Sequence, residues 1–372
     1  MKVKILFGAI FALALFFIPL LALRYSAPQA VIAEAVSMRA MPPRDKEALQ
    51  IPEAVNTASV ELEHKEEVMD KNVEFGEESA NGVASFQILD RTTGKIAVVS
   101  LRDYVRGAVA SEMPAAFHPE ALKAQAVAAH TYALFNYYQQ QRRPLSTLKG
   151  ADFSADPSKR EGYMTEKQAR EFYGGDYAEL YWSKICDAVD AVLPYIMEYD
   201  DEPIVAAYHA ISAGQTEDAG NVWLTSVPYL VPAESSGCVL APDYETVTKL
   251  SVSELERLML AKWPELDFSG EPEDWFYVLS TSGAGYISEI DVAGTVLRGK
   301  DIREALDLRS HSIEIDYAEG FFTFTAHGHG HGVGLSQYGA DFLARQGYTF
   351  DEILDNYYSD IAIRRISADL LG

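Results

Sequence analysis

Three histidines alternate with glycines in HGHGHGVGLSQYGA, His327 to Ala340, and a Ser-Gln-Tyr triplet follows them. Two kinds of chemistry suit that pattern. If the stretch were a strand, residues two apart would share a face, so His327, His329 and His331 would converge as imidazole ligands for zinc. Alternate glycines make a poor rigid strand, however, and no neighbouring carboxylate or cysteine has ligand spacing. Gly328, Gly330, Gly332 and Gly334 instead permit close approach of another backbone segment or a ligand. One histidine with Ser336, Gln337 and Tyr338 would then offer hydrogen bonds at the rim of a cleft, as a sugar site requires. The sequence GLSQYG lacks the G-x-S-x-G spacing of a hydrolase nucleophile elbow, and no local Cys-His signature is present. The stretch therefore reads as a cleft wall or as a buried turn whose polar groups satisfy the backbone, with a zinc site as the further alternative.

The second reactive candidate is Glu112 in RGAVASEMPAAF, at the end of a mostly apolar helix and just before Met113-Pro114. A carboxyl among small apolar residues is partly desolvated. That raises its pKa and suits it to donate a proton near neutral pH.

These residues need a scaffold, and periodicity predicts one. VASFQILDRTTGKIAVVSL reads as two strands about a Thr93-Gly94 turn. LRDYVRGAVASEM has Leu101, Tyr104, Val105, Ala108 and Val109 at helical spacing. A long alanine-rich helix spans Pro119 to Gln140, with Pro119 and Glu120 suited to its first turn. Further helices are expected near Glu166 to Phe172 and Trp182 to Val192, and strands around an acidic Asp200-Asp201 turn. A possible inserted subdomain covers about 240–300, containing the helix SVSELERLMLAKW and the strands WFYVLSTS and YISEIDVAGTVL. IREALDLRS reads as a helix, SIEIDYAEGFFTFTAHG as a hairpin and YTFDEILDNYY as a closing helix. The order predicts an α+β fold, with mixed helices and antiparallel strands around a substrate cleft.

At the N-terminus, Lys2 and Lys4 precede an uncharged apolar run from Ile5 to Leu23. Nineteen helical residues rise about 28 Å, close to the hydrocarbon thickness of a bilayer. Residues 1–24 are read as a signal-anchor with the N-terminus inside, a cleaved signal peptide being the alternative. Residues 25–82 are read as an acidic tether. The exported body then occupies 83–366, giving a single-pass cell-membrane protein. A net charge of −24 excludes nucleic acid as a partner. Cys186 and Cys238 are either one bridge or two buried thiols.

Several of these segments occur together and in order: LRDYVRGAVASEMPAAFHPEALKAQAVAAHTYAL, AYHAISAGQTEDAGNVW with VPYL, IREALDLRS, and HGHGVGLSQYGA with GYTFDEILDNYY. Over about residues 84 to 362 the chain resembles the stage II sporulation protein D family. The resemblance implies an endolytic peptidoglycan lytic transglycosylase. Such an enzyme cuts MurNAc-GlcNAc bonds of strands stripped of stem peptides and leaves 1,6-anhydro-MurNAc ends. It also implies septal wall remodelling and engulfment during sporulation, an amidase or endopeptidase partner, a body in the intermembrane space, and no cofactor. By the same resemblance Glu112 is the catalytic acid and base. Gln125, His130, Ser212, His331, Ser336, Gln337 and Tyr338 would hold substrate. Two departures stand out. The family commonly has arginine where this chain has His130, in AAHTY. Some members bind zinc in the loop after the long helix, where this chain has Ser154, Lys159 and Arg160. A wall-binding or scaffold protein with a degenerate site is the alternative that His130 leaves open.

Overall fold

The computed structural model describes residues 82–366. The anchor read at 1–24 and all but the last residue of the tether read at 25–82 lie outside them. Strands β1 (Ser85–Asp90) and β2 (Ile96–Ser100) form the expected antiparallel hairpin. Helix α1 (Leu101–Glu112) follows with no intervening loop. Ser100 ends β2 and caps α1, its hydroxyl accepting from the Asp103 N–H at 3.1 Å. The helix stops where Met113 adopts extended backbone ahead of Pro114, as a residue before proline tends to.

Helix α2 (Pro119–Arg142) is the centre of the body. Residues 124 to 131 are buried without interruption, so this segment is enclosed on all sides rather than amphipathic. Six of its buried residues are alanines (Ala121, Ala124, Ala126, Ala128, Ala129 and Ala133), which lets neighbouring elements approach closely. Strand β3 (Phe153–Ala155) pairs with β1 in parallel, the α1–α2 pair supplying the crossover that parallel pairing needs. Helices α3 (Glu166–Tyr173) and α4 (Tyr177–Val192) pack against α1, and α4 also against α2. Strands β4 (Tyr195–Tyr199) and β5 (Glu202–Pro203) turn on Asp200 and Asp201, both left-handed at φ 52° and 59°.

Strand β6 (Tyr208–His209) and the short helix α5 (Ala219–Trp223) lead to a second core. Its elements are β7 (Glu245–Ser251), α6 (Val252–Lys262), the meander β8 (Phe276–Thr281), β9 (Ile287–Val292) and β10 (Thr295–Arg298), α7 (Gly299–Leu306), and the hairpin β11 (Ile313–Ala318) and β12 (Phe321–His327). The hairpin adds to β7 in the order β11-β12-β7, so this core draws on residues from Leu250 to Ala326. The chain then returns to the first core through β13 (Leu335–Ser336), α8 (Gln337–Arg345), α9 (Phe350–Tyr357) and β14 (Ala362–Arg365), the last pairing with β4. The architecture is α+β with mainly antiparallel sheets. β1–β3 and β6–β13 are the parallel exceptions. Among the described residues no helix is long and apolar enough to cross a membrane.

A carboxylate closes the loop after α2. Buried Asp156 accepts from the Ser158 hydroxyl at 2.6 Å and the Thr92 hydroxyl at 2.8 Å, and Lys159 Nζ lies 3.2 Å away. Burial alone would push its pKa up. The two hydroxyls and the ammonium outweigh burial and hold it at about 2. Because the folded value is depressed, the stabilisation is present above about pH 4 and is lost as pH falls towards 2. Asp156→Asn is therefore expected to cost about 2 kcal/mol at pH 7. The gap to the native chain should close at about pH 2–3. Urea denaturation at both pH values checks this, and an equal gap at both would rule out the ionised form as the source.

Candidate active site

Glu112 is the last residue of α1 and keeps partial access to solvent. Even so, crowding by surrounding atoms removes enough water to raise its pKa to about 7. The position at a helix C-terminus acts in the same direction, since the negative end of the dipole disfavours a carboxylate. Among the described residues Glu112 has neither a hydrogen-bond partner nor an ion-pair partner.

The sequence reading missed the phenols around it. Tyr104, Ala108 and Glu112 follow one another at four-residue steps, so Tyr104 shares a face of α1 with the carboxyl. Tyr208 arrives from β6. Both phenols are pushed above their ordinary pKa, first by burial and then by the charge of Glu112. The i, i+4, i+8 spacing was a usable signal for Tyr104. Tyr208 had none, because its approach depends on β6 pairing in parallel with β13, Tyr208 opposite Leu335 and His209 opposite Ser336.

That pairing also delivers the glycine-histidine stretch. Strand β12 ends at His327, and Gly328, Gly330, Gly332 and Gly334 then take φ values of 83°, 117°, 82° and 71°. The expected alternation fails because left-handed glycines abolish the two-residue period of a strand. Close approach is realised against this chain's own segment 207–217. His329 and Ile211 exchange backbone hydrogen bonds of 2.6 and 3.0 Å, and the Glu217 N–H donates to the Gly332 carbonyl at 2.7 Å. The three imidazoles part company. His327 lies beside Tyr244 and Glu245. His329 is buried. His331 sits between His209 and Trp223, with ring centroids at 5.6 and 5.4 Å, and its Nδ1 accepts from the Val333 N–H at 3.1 Å. Among the described residues no group of three or more His, Cys, Asp or Glu side chains is placed to hold a metal ion.

Most of the other expected site residues meet at the start of α8. Gln337 Nε2 donates to Gln125 Oε1 at 3.4 Å, joining α8 to α2. The Ser212 N–H donates to Ser336 Oγ at 3.2 Å, and Cys238 Sγ lies 3.1 Å from the same hydroxyl. Cys238 is thus a free thiol in a polar network, and Cys186 is free as well. The Tyr338 ring packs edge-on against Phe117, centroids 4.9 Å apart, in the loop that follows Glu112. Gln125, Ser212, Ser336 and Gln337 are buried, so they do not form an exposed rim. Among the described residues Gln125 Nε2 and Ser212 Oγ have no hydrogen-bond partner. Arg303 was also missed. It is largely enclosed, its Nε donating to the Arg309 carbonyl at 3.2 Å. After burial, its charge is a further cause that keeps His331 at about 4 and His311 at about 3. Both rings are neutral at neutral pH.

His130 stands apart from this group. It is 1% exposed, and its ring nitrogens lie against the backbone of Leu193 and Tyr195 without completing a hydrogen bond of normal geometry. Burial lowers its pKa to about 4, and nothing links its charge to Glu112. A folded value below the ordinary 6.5 means that the unfolded chain takes up a proton the buried ring refuses. Stability is therefore lost as pH falls from about 6.5 to about 4. His130→Leu is expected to flatten that acid limb by about 2–3 kcal/mol. Denaturant midpoints between pH 7 and pH 4 would test it, and a variant as acid-sensitive as the native chain would refute it.

An α+β body that sets one desolvated carboxyl at a helix end beside two buried phenols has the makings of a candidate single-carboxyl acid–base site. Residues 90–199 match the family model described as Stage II sporulation protein. Stage II sporulation protein D of Bacillus subtilis (strain 168) is 32% identical over 314 residues, covering 84% of this chain and 88% of that one. Stage II sporulation protein D of Bacillus amyloliquefaciens is 34% identical over 266 residues, covering 71% and 74%. The amidase enhancer of Bacillus subtilis (strain 168) is 24% identical over 303 residues, 68% of this chain but 39% of that one. The chain belongs to the stage II sporulation protein D family.

Proposed function

We propose that this protein is an endolytic peptidoglycan lytic transglycosylase acting on glycan strands already stripped of stem peptides, in wall remodelling during sporulation. The observation that carries the reading is the state of Glu112: near neutral pH the carboxyl is about half protonated, and no cation holds its proton off. The protonated acid donates to the leaving glycosidic oxygen. The resulting carboxylate accepts the proton of the MurNAc 6-hydroxyl as that oxygen closes on C1. One group serves both steps, so no second carboxylate is needed as nucleophile, unlike the two-carboxylate glycosidases. Tyr104 and Tyr208, held as neutral phenols, flank the reaction centre. His331 and Tyr338 offer neutral polar contacts to the sugars, with Gln125, Ser212, Ser336 and Gln337 supporting them from behind. Residues 1–24 anchor the chain as a single-pass membrane protein, and 25–82 tether an extracytoplasmic body beside a partner of amidase or endopeptidase type.

The test is mass analysis of stripped glycan strands after incubation with the full chain in detergent. Fragments with 1,6-anhydro ends are expected. Strands that are bound but left intact would make the protein a wall-binding relative instead.

A further inference from the structure

Beyond Thr131, helix α2 leaves the core and one of its faces surfaces. Tyr132 is 38% exposed, and its ring stacks on Phe135 with centroids 6.5 Å apart and planes at 11°. The partly buried Phe135 ring does not pack against the main core. Phe135 then lines a cavity of about 140 Å³ together with Tyr138, Tyr199 and Tyr229, and Arg142 and Glu202 stand at the same cavity. The Arg142 guanidinium reaches both Glu202 oxygens at 2.5 Å, and the two side chains are 50% and 52% exposed. Tyr132, Phe135 and Arg142 recur at i, i+3 and i+10, one face of the helix, over about 15 Å. The near end of this face is tied to the candidate active site. Tyr132 lies within electrostatic reach of Tyr104 and Tyr208, the same two phenols that lie within reach of Glu112.

We infer that this face of α2, from Tyr132 to the Arg142–Glu202 pair, is an extended glycan-binding track for a muramic-acid-containing strand, gripping sugars remote from the bond cut at Glu112. The inference rests on the reading of Glu112 as a peptidoglycan site. Aromatic faces with a few polar groups between them suit a sugar ring, which has an apolar face and a hydroxylated edge. A half-exposed ion pair contributes little to stability, so Arg142 is available to exchange Glu202 for another carboxylate. The lactyl carboxylate of muramic acid is one, and a guanidinium grips such a group through two parallel hydrogen bonds.

The experiment uses the full chain in detergent and two variants, Phe135→Ala and Arg142→Ala. Phe135 does not pack against the core and Arg142 is at the surface, so both should fold, and thermal melts check this. Cleavage of long stripped strands is compared with cleavage of fragments two disaccharides long. Binding is measured in the Glu112→Gln background with muramoyl strands and with chitin oligomers of matched length. Phe135→Ala is expected to lower the preference for long over short strands about tenfold, and to weaken binding of both polymers. Arg142→Ala should weaken muramoyl strands selectively. Native preference and affinity in both variants would overturn the track and leave the Glu112 reading standing. Loss of binding in the variants, with no cleavage by the native protein, would support the track and reject the transglycosylase. A native protein that neither binds nor cuts would reject both.

Discussion

Glu112→Gln is expected to slow release of anhydro-ended fragments about a thousandfold while making the protein more stable at alkaline pH. On the proposed mechanism the first effect follows from losing the carboxyl that donates to the scissile oxygen, a loss that typically costs 10²–10⁴ in rate. The second follows from linkage. The carboxyl titrates at about 7 in the folded protein against an ordinary 4.5. Below about pH 4.5 it is protonated in both states and makes no difference. As pH rises from 4.5 to 7 the unfolded chain releases a proton that the folded chain retains, so the native protein loses stability. Partial solvent access discounts the full shift, and about 2 kcal/mol is the expected gain of the glutamine variant at pH 8. Denaturant unfolding at pH 4.5 and pH 8 measures it directly. A variant no more stable at pH 8 would mean that the carboxyl is not desolvated. Continued release of anhydro ends would mean that another group is the acid. The native rate should also fall as pH climbs past about 7, because the donor is then ionised.

Gly334→Ala is expected to be the most damaging single methyl in the candidate site. Gly334 has φ 71°, and a Cβ there would lie 2.1 Å from the Ala207 carbonyl oxygen and 3.0 Å from its carbon. That oxygen already accepts from the Leu335 N–H at 3.0 Å and from the Tyr358 hydroxyl at 2.7 Å, so it cannot retreat without breaking both. Strain and clash together should cost more than about 4 kcal/mol, and any folded remainder should lose the β6–β13 pairing that carries Tyr208 to Glu112. Gly347 supplies the control. It has φ 97° with nothing within 4 Å of its added Cβ, so alanine there meets strain alone, about 1–2 kcal/mol. Thermal unfolding of the two variants separates the contributions. Equal losses would show that the contact with Ala207 is soft.

Local order was largely legible in the residues themselves. The spacing in LRDYVRGAVASEM, the Pro119-Glu120 start, the Thr93-Gly94 turn and the alternation in SIEIDYAEGFFTFTAHG each predict an element that forms, because helix and strand periods and turn chemistry act within a few residues. The glycines of HGHGHGVG announced a close approach in the same way. Helix α8 was hidden because Gly339 sits inside it, against helix propensity. Glycine stands there because a Cβ would meet the Tyr357 hydroxyl at 2.1 Å and the Ser235 hydroxyl at 2.3 Å. The sequence by itself determined that Glu112 ends an apolar helix, that four glycines must admit a neighbour, and that the chain belongs to an α+β class. Only the tertiary structure decided that the neighbour is segment 207–217, that Tyr208 stands by Glu112, that the three histidines diverge, and that His130 turns into the core. Those outcomes depend on contacts between residues about eighty or more positions apart, or on which side of an enclosed helix faces which partner, and no local period carries that information.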